Sequence, residues 1–222
     1  MRNMSSRSRD YFYIKGEVNL KLLSNLITFI DGYLANYLDD PEPYRVKIRA
    51  GALGKEIARE WKSIEKSLLK IAYTVRRIPK VKFYLNLSLF TRITSIIFLI
   101  VAIVVAFTVI FTGHHTYYTI YLLALSLFLS SLTTIYTQVY IRKMNEEIER
   151  YFNQHSEKYR FIRENLRNFN QKLINSYRFY IAKRGLDPKK NSLALYNTFY
   201  SGIEIMKKPG LLSKKYKVIV RI

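Results

Sequence analysis

The residues best suited to acid–base or metal chemistry are three histidines, because the chain has no cysteine. Nucleophilic catalysis requires a hydroxyl or thiol group held beside an oriented base. His114 and His115 are adjacent between two apolar runs, and His155 lies in a long helical pattern, but none is near a Gly-x-Ser-x-Gly motif. No glycine-rich loop precedes a Lys-Ser or Lys-Thr pair, so the pattern of a phosphate-binding loop is absent too. We therefore expect no catalytic residue and a protein that is not an enzyme.

Two short segments contain groups that bind cations, but neither predicts a metal site. His114 and His115 are neighbours in sequence, and adjacent side chains rarely reach the same ion. The acidic turn at residues 39–43 contains two prolines, which is typical of a solvated loop. His155 falls on the apolar stripe of its helix, where we expect it to pack. The sequence thus predicts no metal and no cofactor.

Basic residues are the strongest functional signal in the chain. The net charge is +21, and an excess of this size favours anionic partners such as lipid headgroups, nucleic acid or an acidic protein. Residues 1–92 carry 18 basic and 9 acidic residues, residues 142–222 carry 19 and 7, and residues 93–141 carry none. We predict contacts with anionic lipid or phosphate from nine basic residues close to the uncharged segment or at the end of the helix after it: Arg76, Arg77, Lys80, Lys82, Arg92, Arg142, Lys143, Lys183 and Arg184.

A second group of basic residues lines the helical pattern that follows the uncharged segment. Clusters of this kind suit the phosphates of lipids or nucleic acids. The alternative is a solvated charged face, and nucleic acid is a partner that we do not favour. The group consists of Arg160, Arg163, Arg167, Lys172 and Arg178.

The uncharged segment contains two continuously apolar runs, at residues 93–112 and 117–141. A hydrocarbon core of ~30 Å needs about 20 helical residues, so each run is long enough to cross it. Only residues 113–116 separate the runs, so two helices here must be antiparallel. The alternative, a buried helical hairpin in a soluble protein, is disfavoured because apolar residues surround both helices. The segment therefore predicts a transmembrane hairpin.

The orientation of this hairpin follows from the Lys and Arg residues near its ends. They precede the first run and follow the second, and the connecting segment has none. The positive-inside rule then predicts a cell-membrane protein with both termini in the cytoplasm and the histidine pair outside. The first 16 residues lack the apolar run of a cleavable signal peptide, so we expect the spans themselves to direct insertion.

A stripe of small and polar residues follows both runs at four-residue spacing. Residues of this kind let helices approach closely and form hydrogen bonds across the contact. We interpret the stripe as helix packing, within the hairpin or between copies, and keep a pore lining as the alternative. A pore would need several subunits and would more often contain an ionisable residue. The stripe consists of Ala102, Ala106, Ser126, Ser130, Thr134 and Gln138.

Two amphipathic helices are predicted before the first run, over residues 17–38 and 53–78, joined by a linker at 44–54. The first ends at prolines, which cannot continue a helix. Residues 81–91 alternate like a strand, but their position beside the first run favours an interfacial helix or an early start of the span. The second helix carries an apolar stripe with a spacing of about 3.6, at Leu53, Ile57, Trp61, Ile64, Leu68, Ile71, Val75 and Ile78.

The longest helical pattern follows the second run, because no Pro or Gly interrupts residues 114–184. The second span is therefore predicted to continue into a stalk at residues 142–184, which packs against residues 53–78 in a coiled-coil-like manner. Gly185 is expected to end this helix.

The segment after Gly185 is basic and less regular. Residues 192–206 are predicted to form one short helix, and residues 216–222 a short strand. A lone strand needs a partner, which would be residues 11–14 or another subunit.

These patterns predict an all-α membrane protein: a two-span transmembrane helical hairpin with long amphipathic cytosolic helices and a short C-terminal strand. Its segments are a basic tail (1–16), a cytosolic helical segment (17–92), the hairpin (93–141), the stalk (142–184) and a basic C-terminal segment (185–222). The predicted function is a membrane anchor or scaffold, homo-oligomeric and in contact with anionic lipid headgroups. The alternatives are a small oligomeric channel or transport-related subunit, and a membrane-tethered nucleic-acid-binding protein.

Overall fold

The computed structural model describes residues 10–14, 18–113, 117–210 and 213–222. These residues are mostly helical and also form a small sheet. They divide into two compact units. We call Met1–Tyr73 with His155–Ile222 the flank unit, and Thr74–Gln154 the central unit.

The elements follow one another along the chain, with all the strands after the last helix. The helices are α1 (Leu20–Leu34), α2 (Glu42–Arg49), α3 (Gly54–Arg76), α4 (Pro79–Thr112), α5 (Tyr117–Gln154) and α6 (Ser156–Lys183). The strands are β1 (Leu193–Leu195), β2 (Ile203–Lys207) and β3 (Tyr216–Val220).

Helix α1 is shorter than the predicted range 17–38. It begins after Asn19, whose side chain accepts a hydrogen bond from the Leu22 amide at 2.9 Å, as an N-cap does. It ends because Asn36 adopts a left-handed conformation with φ of 63°. The Tyr37 amide then bonds back to the Gly32 carbonyl at 2.8 Å, which closes the helix.

Helix α2 occupies most of the segment that was predicted as a linker at 44–54, so that prediction was wrong. Pro41 caps α2, and Pro43 lies in its first turn. A proline there is favourable because the first amides of a helix have no intrahelical partner. The prolines therefore mark the start of α2, and they do not end α1, which stops earlier, at Leu34.

Helices α3 and α4 agree with the predicted patterns. Seven residues of the α3 stripe, from Leu53 to Val75, are buried, and Ile78 is partly buried. Helix α4 begins at Pro79 and continues without a break, so residues 81–91 are helical and not a strand. Of the alternatives for that segment, the early start of the first apolar helix is confirmed.

The long helix predicted after the second run is divided in two, which corrects the single stalk at 142–184. His155 leaves the helical conformation (φ −116°, ψ 31°) between α5 and α6, and it is exposed, whereas its place on the apolar stripe predicted a buried residue. Gly185 has φ of 61°, as expected for a residue that ends a helix. Helix α6 packs closely on α1, whereas the stalk prediction paired it with residues 53–78.

The C-terminal segment forms a three-stranded antiparallel sheet in the order β1-β3-β2, so the all-α prediction was incomplete. The strand predicted at 216–222 is confirmed as β3, but its partners are β1 and β2 instead of residues 11–14 or another subunit. The predicted helix at 192–206 was wrong. Gly202 (φ 75°) makes a turn there, and the β-branched Ile203 and Ile205 favour the strand after it.

Candidate functional site

A seam of hydroxyl groups joins α4 to α5 inside the central unit. The Ser95 hydroxyl lies 3.2 Å from the Ser130 hydroxyl and 3.0 Å from the Thr134 hydroxyl. Ser130 also donates to the Ser95 carbonyl at 3.2 Å. One turn away, the hydroxyls of Thr91 and Thr137 are 2.8 Å apart. The two helices therefore run antiparallel and are joined through short polar side chains.

The predicted stripe lies only partly on this seam. Ala102 and Ser126 are buried and Ala106 is half-buried, whereas Gln138 is exposed. A four-residue step turns an α-helix by about 40° beyond a full turn, so an unbroken four-residue stripe drifts around the helix. Gln138 is thus rotated by about 120° from Ser126, and Thr137 takes the position facing α4.

The antiparallel register continues away from the turn. The Lys80 amine lies 3.8 Å from the Glu147 carboxylate, and this pair fits the same antiparallel register as the pair of Thr91 and Thr137. Arg92 is the last charged residue of α4 before the turn, and Arg142 lies farther from the turn on α5. The length of the uncharged part of the helix pair is therefore set by the 20 residues of α4 that follow Arg92, which correspond to about 30 Å of helix.

The nine basic residues predicted to contact lipid or phosphate are all exposed. Arg142 pairs with Glu146 of its own helix at 3.2 Å. Arg184 donates to the Val18 carbonyl at 2.9 Å, which ties the end of α6 to the segment before α1. The lipid contact of these residues stays a prediction.

Two arginines of the second basic group make internal contacts. Arg163 donates to the Leu34 carbonyl at 3.0 Å and to the Asn36 side chain at 3.2 Å. Arg167 donates to the Phe199 carbonyl at 3.2 Å, and its guanidinium lies 4.5 Å from the centre of that ring. These arginines fasten α6 to the end of α1 and to the loop before β2.

Asp31 is the most constrained polar residue of the flank unit. It is fully buried on α1, and its carboxylate accepts hydrogen bonds from the backbone amides of Tyr196 and Asn197. The Asn197 side chain and the Tyr200 hydroxyl donate to the same carboxylate, each at 2.8 Å. Asn170 of α6 donates to the Tyr200 hydroxyl at 2.9 Å and so extends the network to a third element.

Burial controls the protonation of this network. It raises the pKa of Asp31 above the ordinary value of 3.8, because a buried carboxylate loses its hydration, and the four hydrogen bonds oppose the rise only in part. Burial and the neighbouring Asp31 also raise the pKa of Tyr200, which therefore stays a neutral donor. The arrangement suits a structural clamp, since every donor is directed at one carboxylate.

Sequence reasoning missed this clamp, although one signal was present. Asp31 follows Ile27 by four residues and precedes Leu34 by three, so it lies within the apolar stripe of α1. A carboxylate in such a stripe must find partners when the helix is buried. The partners could not be identified because they lie about 165 residues away in sequence.

A cleft of about 510 Å³ opens beside the clamp, between α1, α2 and the C-terminal segment. Phe29 and Tyr44 pack together on one part of its wall, with ring centres 4.5 Å apart, and Tyr37 stacks on Tyr196 at 4.4 Å. The Lys215 amine lies 4.9 Å from the centre of the Tyr196 ring. Aromatic walls of this kind can hold a small flat or cationic molecule.

Of the two segments considered for cation binding, the acidic turn at residues 39–43 is described, and its carboxylates make local contacts. Asp40 accepts a hydrogen bond from the Glu42 amide at 3.0 Å, and Glu42 pairs with Arg45. The described ranges contain no group of three or more His, Asp or Glu residues placed to hold a metal ion. His114 and His115 lie outside the described residues.

Two helices, α4 and α5, are long and apolar enough to cross a membrane. Comparison of the chain with protein families, curated proteins and solved structures finds no match in any of the three.

Proposed function

We propose that this chain is a non-enzymatic integral membrane protein that serves as an anchor or scaffold. Helices α4 and α5 cross the cell membrane as a hairpin, and the flank unit lies on the cytoplasmic side. The protein works by holding this basic, folded unit beside the inner leaflet.

Exposed apolar surface supports insertion of the helix pair in lipid. Only 6% of the most apolar window of each helix is buried, whereas the core helix of a soluble protein is mostly buried. Phe111, Ile110 and Phe128 are 80%, 73% and 63% exposed. Water-exposed apolar surface costs roughly 25 cal/mol per Å², so a continuous surface of this size requires a covering, and lipid is the covering that suits helices of this length.

The observation that carries the topology is that both flanks of the helix pair belong to one folded unit. The Ile14 amide donates to the Tyr180 hydroxyl at 2.6 Å, and the Phe12 amide donates to the Ser176 hydroxyl at 2.8 Å. The Asp31 clamp makes the same connection. Segments that fold together must share a compartment, which supports an even number of crossings. The basic excess on both flanks then supports the cytoplasmic side.

The seam favours an anchor over a channel. Ser95, Ser130 and Thr134 form hydrogen bonds with one another inside a single chain. The hydroxyls of Ser130 and Thr134 use their single donors on backbone carbonyls of the hairpin, which leaves them fewer hydrogen bonds to offer a water-filled pore. Small polar residues that satisfy each other between helices are typical of packing in membranes.

Topology can be tested with single cysteines, because the native chain has none. Tyr118→Cys lies next to the turn, and Val46→Cys and Asp187→Cys lie on exposed positions of the flank unit. With a membrane-impermeant maleimide on intact cells, we expect labelling at position 118 and none at positions 46 and 187 until the membrane is opened. Labelling of either flank on intact cells, or release of the protein by alkaline carbonate, would contradict the proposal.

A further inference from the structure

Helix α3 presents an outer face that consists of basic residues at helical spacing. The residues follow one another at steps of four, three, four and four, so they lie on the same side of the helix over about 22 Å. All five are exposed. We call them the basic face: Lys55, Arg59, Lys62, Lys66 and Lys70.

The acidic residues of α3 all have partners within the flank unit. Glu56 accepts a hydrogen bond from the Tyr13 amide at 2.8 Å, Glu60 pairs with Lys172 at 3.0 Å, and the buried Glu65 pairs with Arg45 at 3.4 Å. No carboxylate of α3 therefore lies among the residues of the basic face, because the three acidic residues are rotated away from its centre by about 80° to 120° around the helix, Glu56 and Glu60 in one direction and Glu65 in the other. A face that carries a single sign of charge is complementary to a surface of the opposite sign.

Two large apolar residues interrupt the basic face near the end that leads to α4. Leu69 is 48% exposed and Tyr73 is 56% exposed. Each follows a basic residue by seven positions, Leu69 after Lys62 and Tyr73 after Lys66, so they share its side of the helix. Apolar residues surrounded by Lys and Arg are typical of helices that lie in the lipid headgroup region.

The chain also limits how far α3 can lie from the candidate spans. Helix α3 ends at Arg76 and α4 begins at Pro79, so two residues connect them. If α4 enters the bilayer, the end of α3 that carries Tyr73 must start close to the headgroups. A flat anionic lipid surface therefore fits the basic face better than a nucleic acid, because Leu69 and Tyr73 could pack against a nucleic acid only if its bases were unstacked.

We propose that the basic face of α3 docks on an anionic lipid surface, with Leu69 and Tyr73 inserted at the level of the headgroups. This inference rests on the proposed function, because the docking needs the flank unit to be tethered at the bilayer. The strength of the docking should depend on the fraction of anionic lipid and fall with salt.

The test uses the full chain in vesicles, with a fluorescent label on Leu69→Cys and a quencher attached to lipid just below the headgroups of both leaflets. Insertion is checked first in the same sample, as resistance to alkaline carbonate. With about 30% phosphatidylglycerol we expect about half of the fluorescence to be quenched, and about a tenth in purely zwitterionic vesicles or in about 0.5 M salt. The same label on Val46→Cys, which is 59% exposed on α2, should stay unquenched in both.

Two variants that lose the same amount of positive charge distinguish an effect of the basic face from an effect of total charge. Replacing all five residues of the basic face by Gln should reduce the quenching at position 69 at least fivefold. Replacing five exposed lysines elsewhere in the flank unit should leave it unchanged: Lys189, Lys190, Lys207, Lys208 and Lys217. Fluorescence of the buried Trp61, the single tryptophan, reports whether each variant is folded.

The outcomes distinguish this inference from the proposed function. If the protein is extracted by carbonate, the proposed function and the docking both fall. If it is inserted but position 69 shows no dependence on anionic lipid, or both variants lose quenching equally, only the docking is overturned. The docking is also overturned if an oligonucleotide binds through the basic face while lipid has no effect on position 69.

Discussion

The carboxylate of Asp31 lies 2.8 Å from the hydroxyl of Tyr200, and the chain between these residues contains both apolar helices. A hydrogen bond between α1 and the loop before β2 therefore joins the segment before the apolar helices to the segment after them. Because the same carboxylate accepts three further bonds, the contact holds a loop as well as a single side chain. Both parts of the flank unit therefore contribute groups to this network.

Asp31→Ala should destabilise the flank unit by about 3 kcal/mol or more, because it leaves buried donors without an acceptor. Denaturant unfolding of the full chain in detergent, followed by Trp61 fluorescence, measures this loss. Asp187→Ala is the matched control, since Asp187 is exposed and its carboxylate accepts a local bond from the Lys189 amide. Equal stability of the Asp31 variant and the control would show that the clamp does not stabilise the fold.

The unfolding free energy should also depend on pH through the titration of Asp31. Because the pKa is raised above 3.8 in the folded state, the folded chain binds more protons than the unfolded chain between the two pKa values. The contribution of Asp31 is therefore full below pH 3.8 and is lost as the pH rises through the raised pKa. The difference in unfolding free energy between the wild type and Asp31→Asn should be larger near pH 4 than near pH 7. A difference that grows as the pH rises would contradict burial as the dominant cause.

Ser95 and Ser130 should be energetically coupled in the seam. A double-mutant cycle of Ser95→Ala and Ser130→Ala, measured as unfolding free energy in detergent, should give a coupling of about 0.6–1 kcal/mol. Ser131→Ala serves as the control, because the Ser131 hydroxyl bonds to the Leu127 carbonyl of its own helix. Zero coupling between Ser95 and Ser130 would mean that the seam does not hold the helices together. Ion flux through vesicles that disappears in Ser130→Leu would instead favour the channel alternative.

Gln138 leads to a prediction about homo-oligomers. Its side chain is exposed on α5, one turn from the end of the uncharged segment, and amides in lipid form hydrogen bonds between helices. We expect a defined oligomer upon crosslinking in membranes and at least a threefold smaller crosslinked fraction in Gln138→Leu. Gln154→Leu, on an exposed position beyond the uncharged segment, should have no effect. A wild type that is purely monomeric would reject the oligomer.

Local periodicity made α3 and the apolar helices predictable. The α3 stripe from Leu53 to Val75 is buried as its spacing predicts, and the uncharged runs are helical over their whole length. Proline was less informative, because Pro41 and Pro43 allow a helix to begin as well as to end. Gln138, the last residue of the predicted stripe, is exposed because a four-residue repeat does not follow a helix of 3.6 residues per turn, and its packing between copies stays a prediction.

Long-range contacts could not be predicted from one sequence. Strand β1 has three residues, too few to show an alternating pattern, and it exists because β3 pairs with it. The loop at residues 196–200 takes its shape from Asp31, which lies on a helix far earlier in the chain. The basic face of α3 is visible in the spacing of its residues, but the inward partners of Glu56 and Glu60 are contributed by other segments.

The proposed topology requires both flanks to fold together in one compartment on the inner side of the membrane. A crosslink between positions 10 and 175 tests this topology, because the Asn175 side chain donates a hydrogen bond to the Asp10 carbonyl at 2.9 Å. In intact cells that carry Asp10→Cys with Asn175→Cys, a membrane-permeant bis-maleimide should link the two positions within one chain, and an impermeant one should not. A chain that carries Asp10→Cys with Tyr118→Cys should give no link with either reagent. Failure of the permeant reagent to join positions 10 and 175, or success of the impermeant one, would rule out this topology.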